Sequence, residues 1–167
     1  MHFHRRIGPQ HGFSLIELLI VVAIILIIAA MAIPNLIRSK ISANEAAAVS
    51  NIRTVNTAQT TYEITYPSVG YADSLAKLAF PASGGAIDQN HAGLLDWVIG
   101  CASQPCSKTG YQFSIVNATG SPIINNYSVT AVPVSQGNSG VRGFCSNQLS
   151  NMTYDPNGGT NCTNTLQ

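Results

Sequence analysis

A chain of 167 residues leaves room for one compact domain, or for one domain carried on a long extra element. Only 9% of it is charged and 46% is hydrophobic, which excludes an intrinsically disordered chain, because disorder needs the opposite balance. A formal net charge of +1 excludes a strongly basic nucleic-acid binder, and no sequence-specific nucleic-acid partner is expected.

The chain opens with a short segment carrying Arg5 and Arg6 and no acidic residue before Glu17. Phe13 to Ile33 follows, 21 residues with a single charged side chain. About 20 apolar residues, each rising about 1.5 Å, cross a hydrocarbon core about 30 Å thick. This run is apolar on every face, so it cannot be a surface helix. Cationic flanks stay in the cytoplasm, which puts the chain after 33 on the outside. Arg5-Arg6, an apolar stretch and Ala30-Met-Ala32 also fit a secretory signal peptide with an A-x-A site. Glu17 inside the hydrophobic region argues against that parse, as does the helical pattern continuing past 32.

Glu17 breaks the physics of the segment. An ionised side chain at mid-helix costs about 2.5–3.5 kcal/mol on insertion scales. Either it lies shallow enough to snorkel or take up a proton, or its partner arrives only on assembly.

Beyond Pro34 the pattern becomes periodic. Ile41, Glu45, Ala48, Ile52, Val55, Gln59 and Tyr62 recur at spacings of four and three and mark one amphipathic face. Ser42, Asn51, Arg53 and Asn56 are assigned to the opposite face. Between 13 and 66 there is no Gly and the only Pro is Pro34. One helix over 13–65, kinked at Pro34 and stopped by Tyr66-Pro67, is therefore expected. The stripe lasts barely three heptads without e/g charge pairs, so packing on a sheet is preferred to a coiled coil.

Residues 67–109 read as a connecting region with short helical pieces. Asp73-Ser74 is placed to cap a helix over 75–80, and Leu94 to Ile99 is a short apolar piece undecided between helix and strand. Three β-type runs follow, Tyr111–Val116, Tyr127–Val134 and Val141–Cys145, with Met152–Tyr154 a weaker fourth. Alternation at Tyr111, Phe113, Ile115 and at Tyr127, Val129, Ala131 gives each strand one buried face.

Four cysteines occur, Cys101, Cys106, Cys145 and Cys162, all on the outer side by the charge rule, so disulfides are permitted. Three pairings are open. Cys101–Cys106 and Cys145–Cys162 are preferred because each closes a local loop. A zinc site fits the C-x4-C and C-x16-C spacings poorly, and no metal or cofactor is expected. Asp155-Pro-Asn-Gly-Gly159 offers a single carboxylate and reads as a turn rather than a calcium loop. The N-x-[ST] sequons beginning at Asn117, Asn126, Asn151 and Asn161 are given no weight. With His91 the lone histidine after residue 11, few carboxylates and no Gly-rich phosphate loop, there is no catalytic constellation and no enzyme is expected.

Gly12-Phe13-Ser-Leu-Ile-Glu17, at the junction of a basic leader and an apolar run, resembles the processing site of type IV prepilins, G-F-[ST]-L-[IV]-E. The resemblance continues through Pro34-Asn-Leu-Ile-Arg38 and Ala43-Asn-Glu-Ala46, and covers residues 8 to about 66. It implies cleavage between Gly12 and Phe13 by prepilin peptidase, N-methylation of Phe13, a kinking role for Pro34, and Glu17 of one subunit meeting the Phe13 amine of its neighbour. It implies an α+β fold, a long N-terminal helix packed on a small antiparallel sheet. The organisation would be a leader (1–12), a membrane or filament-core half of the helix (13–40), an amphipathic half (41–66), an αβ-loop (67–109), and a sheet with a disulfide-bounded C-terminal region (110–167). The implied function is a pilus subunit that polymerises with itself, supporting attachment, motility or DNA uptake. A pseudopilin of a type II secretion system is the first alternative, and a monomeric membrane-anchored binding domain the second. Implied partners are the inner-membrane assembly platform, its ATPases, the outer-membrane secretin and membrane lipid. The implied location is the inner membrane as a single pass with its C-terminus outside, then an extracellular pilus or periplasmic pseudopilus.

Overall fold

The computed structural model describes residues 12–81 and 84–166; the leader segment lies outside them apart from Gly12. The chain divides into two compact units that meet between Ile37 and Arg38. The α-helix α1, Leu15–Thr65, runs through both, with Pro34 inside it. In the first unit α1 has no buried residue, and its large side chains stand exposed, from Leu15 at 80% to Ile37 at 46%. A helix apolar all round with no protein to cover it is long and apolar enough to cross a membrane.

The second unit contains the rest of α1, a four-residue helix α2 (Leu75–Leu78) and six strands: β1 Cys106–Lys108, β2 Tyr111–Thr119, β3 Asn126–Pro133, β4 Gly143–Asn147, β5 Met152–Asp155 and β6 Asn164–Thr165. The strands form one sheet in chain order, each antiparallel to the next. Tyr111, Phe113 and Ile115 of β2 and Tyr127, Val129 and Ala131 of β3 are all buried, as the alternation requires. They share one core with Ala48, Ile52, Val55, Ala58 and Tyr62 of α1, closed at one side by Leu75, Leu78, Leu95 and Ile99. The fold is α+β, a long helix packed on an antiparallel meander.

Four local readings are corrected. Asn56 is not on the outer face of α1 but buried, one residue past Val55 at the edge of the stripe. α2 ends at Leu78, because Ala79 turns extended and bridges Leu95. Ser74 sits at its N-cap without a side-chain cap bond. Leu94 to Ile99 is neither helix nor strand: Leu94 and Leu95 donate their N–H groups to the Leu78 carbonyl, and Asp96 collects the N–H groups of Val98 and Ile99. The strand expected from Val141 begins only at Gly143. The N–H groups of Val141 and Arg142 are taken by a helix carboxylate instead, both 3.0 Å from Glu45 Oε1.

Candidate assembly site

The motif residues stand at the start of α1. Gly12, Phe13 and Ser14 precede the helix, and Phe13 is 83% exposed. A side chain at Gly12 would meet nothing within 4 Å among the described residues. Ser14 takes the N-cap place, its carbonyl accepting the N–H groups of Glu17 (3.1 Å) and Leu18 (3.3 Å). The Glu17 carboxylate reaches back and accepts the Ser14 N–H at 3.2 Å. This is the return half of a capping box, and it satisfies one donor that the helix start leaves orphaned. The S-x-x-E spacing carries that signal in the sequence, although Glu17 is first noticed as a charge in an apolar run. Glu17 is also the only charged side chain from Gly12 to Ile37.

Within the second unit three polar links tie α1 to the rest of the outer domain. Glu45, the first buried residue of α1, receives the two backbone N–H groups named above on Oε1, and Arg142 Nε (2.9 Å) and Nη2 (2.7 Å) on Oε2. Burial raises its pKa, but the hydrogen bonds from Arg142 and Val141 and the Arg142 charge outweigh that, so the carboxyl titrates below its ordinary range. Arg142 is further stacked over the rings of Phe144 and Tyr154, at 5.4 and 5.5 Å from their centroids. Asn56 is the second link: its Nδ2 donates to Ser146 Oγ at 2.7 Å, and its Oδ1 accepts the Tyr127 hydroxyl at 3.2 Å. Gln59 is the third, exchanging two 2.8 Å bonds with the backbone of Ala72 as a strand neighbour would.

The cysteines are joined as Cys101–Cys106 and Cys145–Cys162, which leaves no free thiol to bind a metal. Among the described residues no three His, Cys, Asp or Glu side chains gather as a metal site. Asp155 is buried and accepts the N–H groups of Asn157 (2.9 Å) and Asn161 (3.1 Å), so its carboxylate shapes the turn. A side chain at Gly143 would collide with the Gly159 carbonyl, so β4 and this turn approach as closely as backbone permits.

Comparison with known proteins bears on the first of these sites. The family model for the prokaryotic N-terminal methylation motif matches residues 8–33, a stretch that contains Gly12, Phe13 and Glu17. The type IV major pilin protein PilA of Myxococcus xanthus (strain DK1622) is 32% identical over 127 residues, covering 70% of this chain and 58% of that relative. The chain belongs to the type IV pilin family.

This pilin-family chain spans a little over half the length of the curated relative it matches. No solved structure matches it. In the chain-entropy model a closed loop of this size stabilises by about 3 kcal/mol, and Cys145–Cys162 closes 17 residues of a tail held otherwise by the two-residue β6. Replacing Cys145 and Cys162 together with Ser is expected to lower the melting temperature of the full chain in detergent by about 10 °C. Thermal circular dichroism checks this, and excess reductant should bring the wild-type chain to the same value or below.

Proposed function

We propose that the chain is the subunit of a type IV pilus. Prepilin peptidase cuts between Gly12 and Phe13, Phe13 is N-methylated, and the mature chains polymerise through α1. The observation that carries this reading is the exposed, uncovered apolar half of α1 with Glu17 as its single charge. Cleavage turns a neutral amide at Phe13 into an amine with a reference pKa near 7.7–8.0, which stays cationic when methylated. In an apolar filament core an unpaired carboxylate and an unpaired ammonium are both costly, and the two together far less so. Glu17 of one subunit therefore pairs with the Phe13 amine of the next, and gives up the Ser14 N–H it holds before assembly. Pro34, whose ring displaces a ladder bond, kinks α1 behind this region.

Before assembly the chain sits in the inner membrane as a single pass with its C-terminus outside. The assembly platform, its ATPases and an outer-membrane secretin then carry it to the cell surface. Moving α1 from lipid into a protein-lined core exchanges one apolar medium for another, which suits reversible extension.

The test is mass spectrometry of the mature chain together with electron microscopy of expressing cells. The expected results are an N-methylated N-terminus at Phe13 and surface filaments that vanish when the gene is deleted. A chain intact from Met1, or trimmed beyond Ala32, would refute the reading. Correct processing without surface filaments would favour a periplasmic pseudopilus.

A further inference from the structure

Acidic and basic side chains of the second unit are mostly matched. Lys77 pairs with Asp73, Lys108 with Asp96 and Arg142 with Glu45. The carboxylates of Asp88 and Asp155 are occupied by backbone N–H groups. Arg38, Lys40 and Arg53 are exposed with no carboxylate at ion-pair distance among the described residues, and of the three only Arg38 and Lys40 stand directly after the apolar run. No acidic residue lies between Glu17 and Glu45, and Glu45 is fully engaged by Arg142 and Val141.

Their place in the sequence is as telling as their isolation. Twenty residues without a charged side chain separate Glu17 from Arg38. At helical rise they extend about 30 Å, the thickness of a hydrocarbon core. Resting on the membrane reading above, a chain with Glu17 at one face of the bilayer has Arg38 and Lys40 at the other. There the long stems of both residues can lie along acyl chains while the charged heads reach the phosphates.

We propose that Arg38 and Lys40 bind the anionic phospholipid headgroups of the leaflet facing away from the leader, and so fix how deeply the chain sits before it assembles. Positions two apart on a helix point about 200° from each other, so the pair grips lipids on two sides of α1 rather than chelating one phosphate. The guanidinium of Arg38 offers a phosphate two parallel donors, and Lys40 a point charge. A carboxylate of a second copy is the competing partner. Glu63, without a cation at ion-pair distance among the described residues, lies 23 residues beyond Lys40, about 35 Å along α1.

The full chain is reconstituted into nanodiscs of phosphatidylcholine with a minor share of phosphatidylglycerol, extracted in mild detergent, and its retained lipid quantified by mass spectrometry. The wild-type chain is expected to enrich phosphatidylglycerol about fivefold for each cation over the disc composition. R38Q/K40Q should return to the disc ratio, and K77Q should behave as wild type. Equal ratios for wild type and R38Q/K40Q would overturn the proposal. So would an R38Q/K40Q chain that keeps the enrichment but no longer forms filaments, since the cations would then face a neighbouring copy. A wild-type chain that fails to float with vesicles of phosphatidylcholine alone would refute the membrane reading itself. One that floats without preferring phosphatidylglycerol refutes only the headgroup pair.

Discussion

Glu17→Val is expected to leave the chain in the membrane in near-normal amount while filaments fall by about a hundredfold or more. Removing one partner of a desolvated ion pair costs about 3–5 kcal/mol, and every 1.4 kcal/mol is tenfold in an association constant. The membrane step should not suffer, since Val is more at home in hydrocarbon than a carboxylate. Losing the bond to the Ser14 N–H frays the helix start by about 1 kcal/mol at most. Glu17→Gln separates the two contributions. Its amide oxygen can still accept the Ser14 N–H, but it brings no charge to the neighbour's amine, so it should fail in assembly as Val does. Sheared-filament yield and carbonate-resistant membrane protein are the two measurements. Abundant normal filaments from Glu17→Gln would mean that capping, not charge pairing, is what assembly requires.

Glu45→Ala is expected to destabilise the outer domain strongly. It strands the N–H groups of Val141 and Arg142 and removes the carboxylate from a guanidinium. A buried donor left without a partner costs about 1–3 kcal/mol, and Glu45 is only 7% exposed. Arg142 keeps 42% of its side chain in solvent, so part of its loss is recovered by water, and about 2–4 kcal/mol is expected in total. Glu45→Gln should cost less, because its carbonyl oxygen can still receive both backbone donors. The pH dependence has a definite sign. The folded-state pKa of Glu45 lies below the ordinary value of 4.5, so the group contributes stability in full above that value and loses it as pH falls below it. Denaturant titrations of the wild type and Glu45→Gln should therefore differ most at neutral pH and converge in acid. A difference that held constant from neutral pH to pH 3 would assign the effect to packing.

Much of this was open to reading in the chain, for reasons that can be named. An apolar run to Ile33, the periodic stripe beyond Pro34 and the absence of Gly point to one helix over residues 15–65, and strict alternation in Tyr111, Phe113, Ile115 marks the inner face of β2. The disulfides follow from two short closures. What escaped was structure imposed from outside its own segment. β1 and β6 are three and two residues without a hydrophobic alternation, ordered by the neighbours they pair with. Asn56 looks solvent-facing by type, yet Tyr127 and Ser146, about 70 and 90 residues further on, give it partners inside. Val141 and Arg142 carry β-type neighbours, but a carboxylate 96 residues earlier in the chain claims their donors first. The Ser14–Glu17 contact is local, and only the more conspicuous charge hid it.

The chain-order sheet has a kinetic consequence. Every strand finds its partner in the next segment of the chain, so the meander can zip from β1 to β6 through short loop closures. The ties from α1 to β4, Asn56 to Ser146 and Glu45 to Arg142, span about ninety residues and close only after the third hairpin partner exists. Gln59 meets Ala72 only 13 residues on, so the upper part of α1 is tied early, while the Glu45 clamp closes only when the sheet is already built.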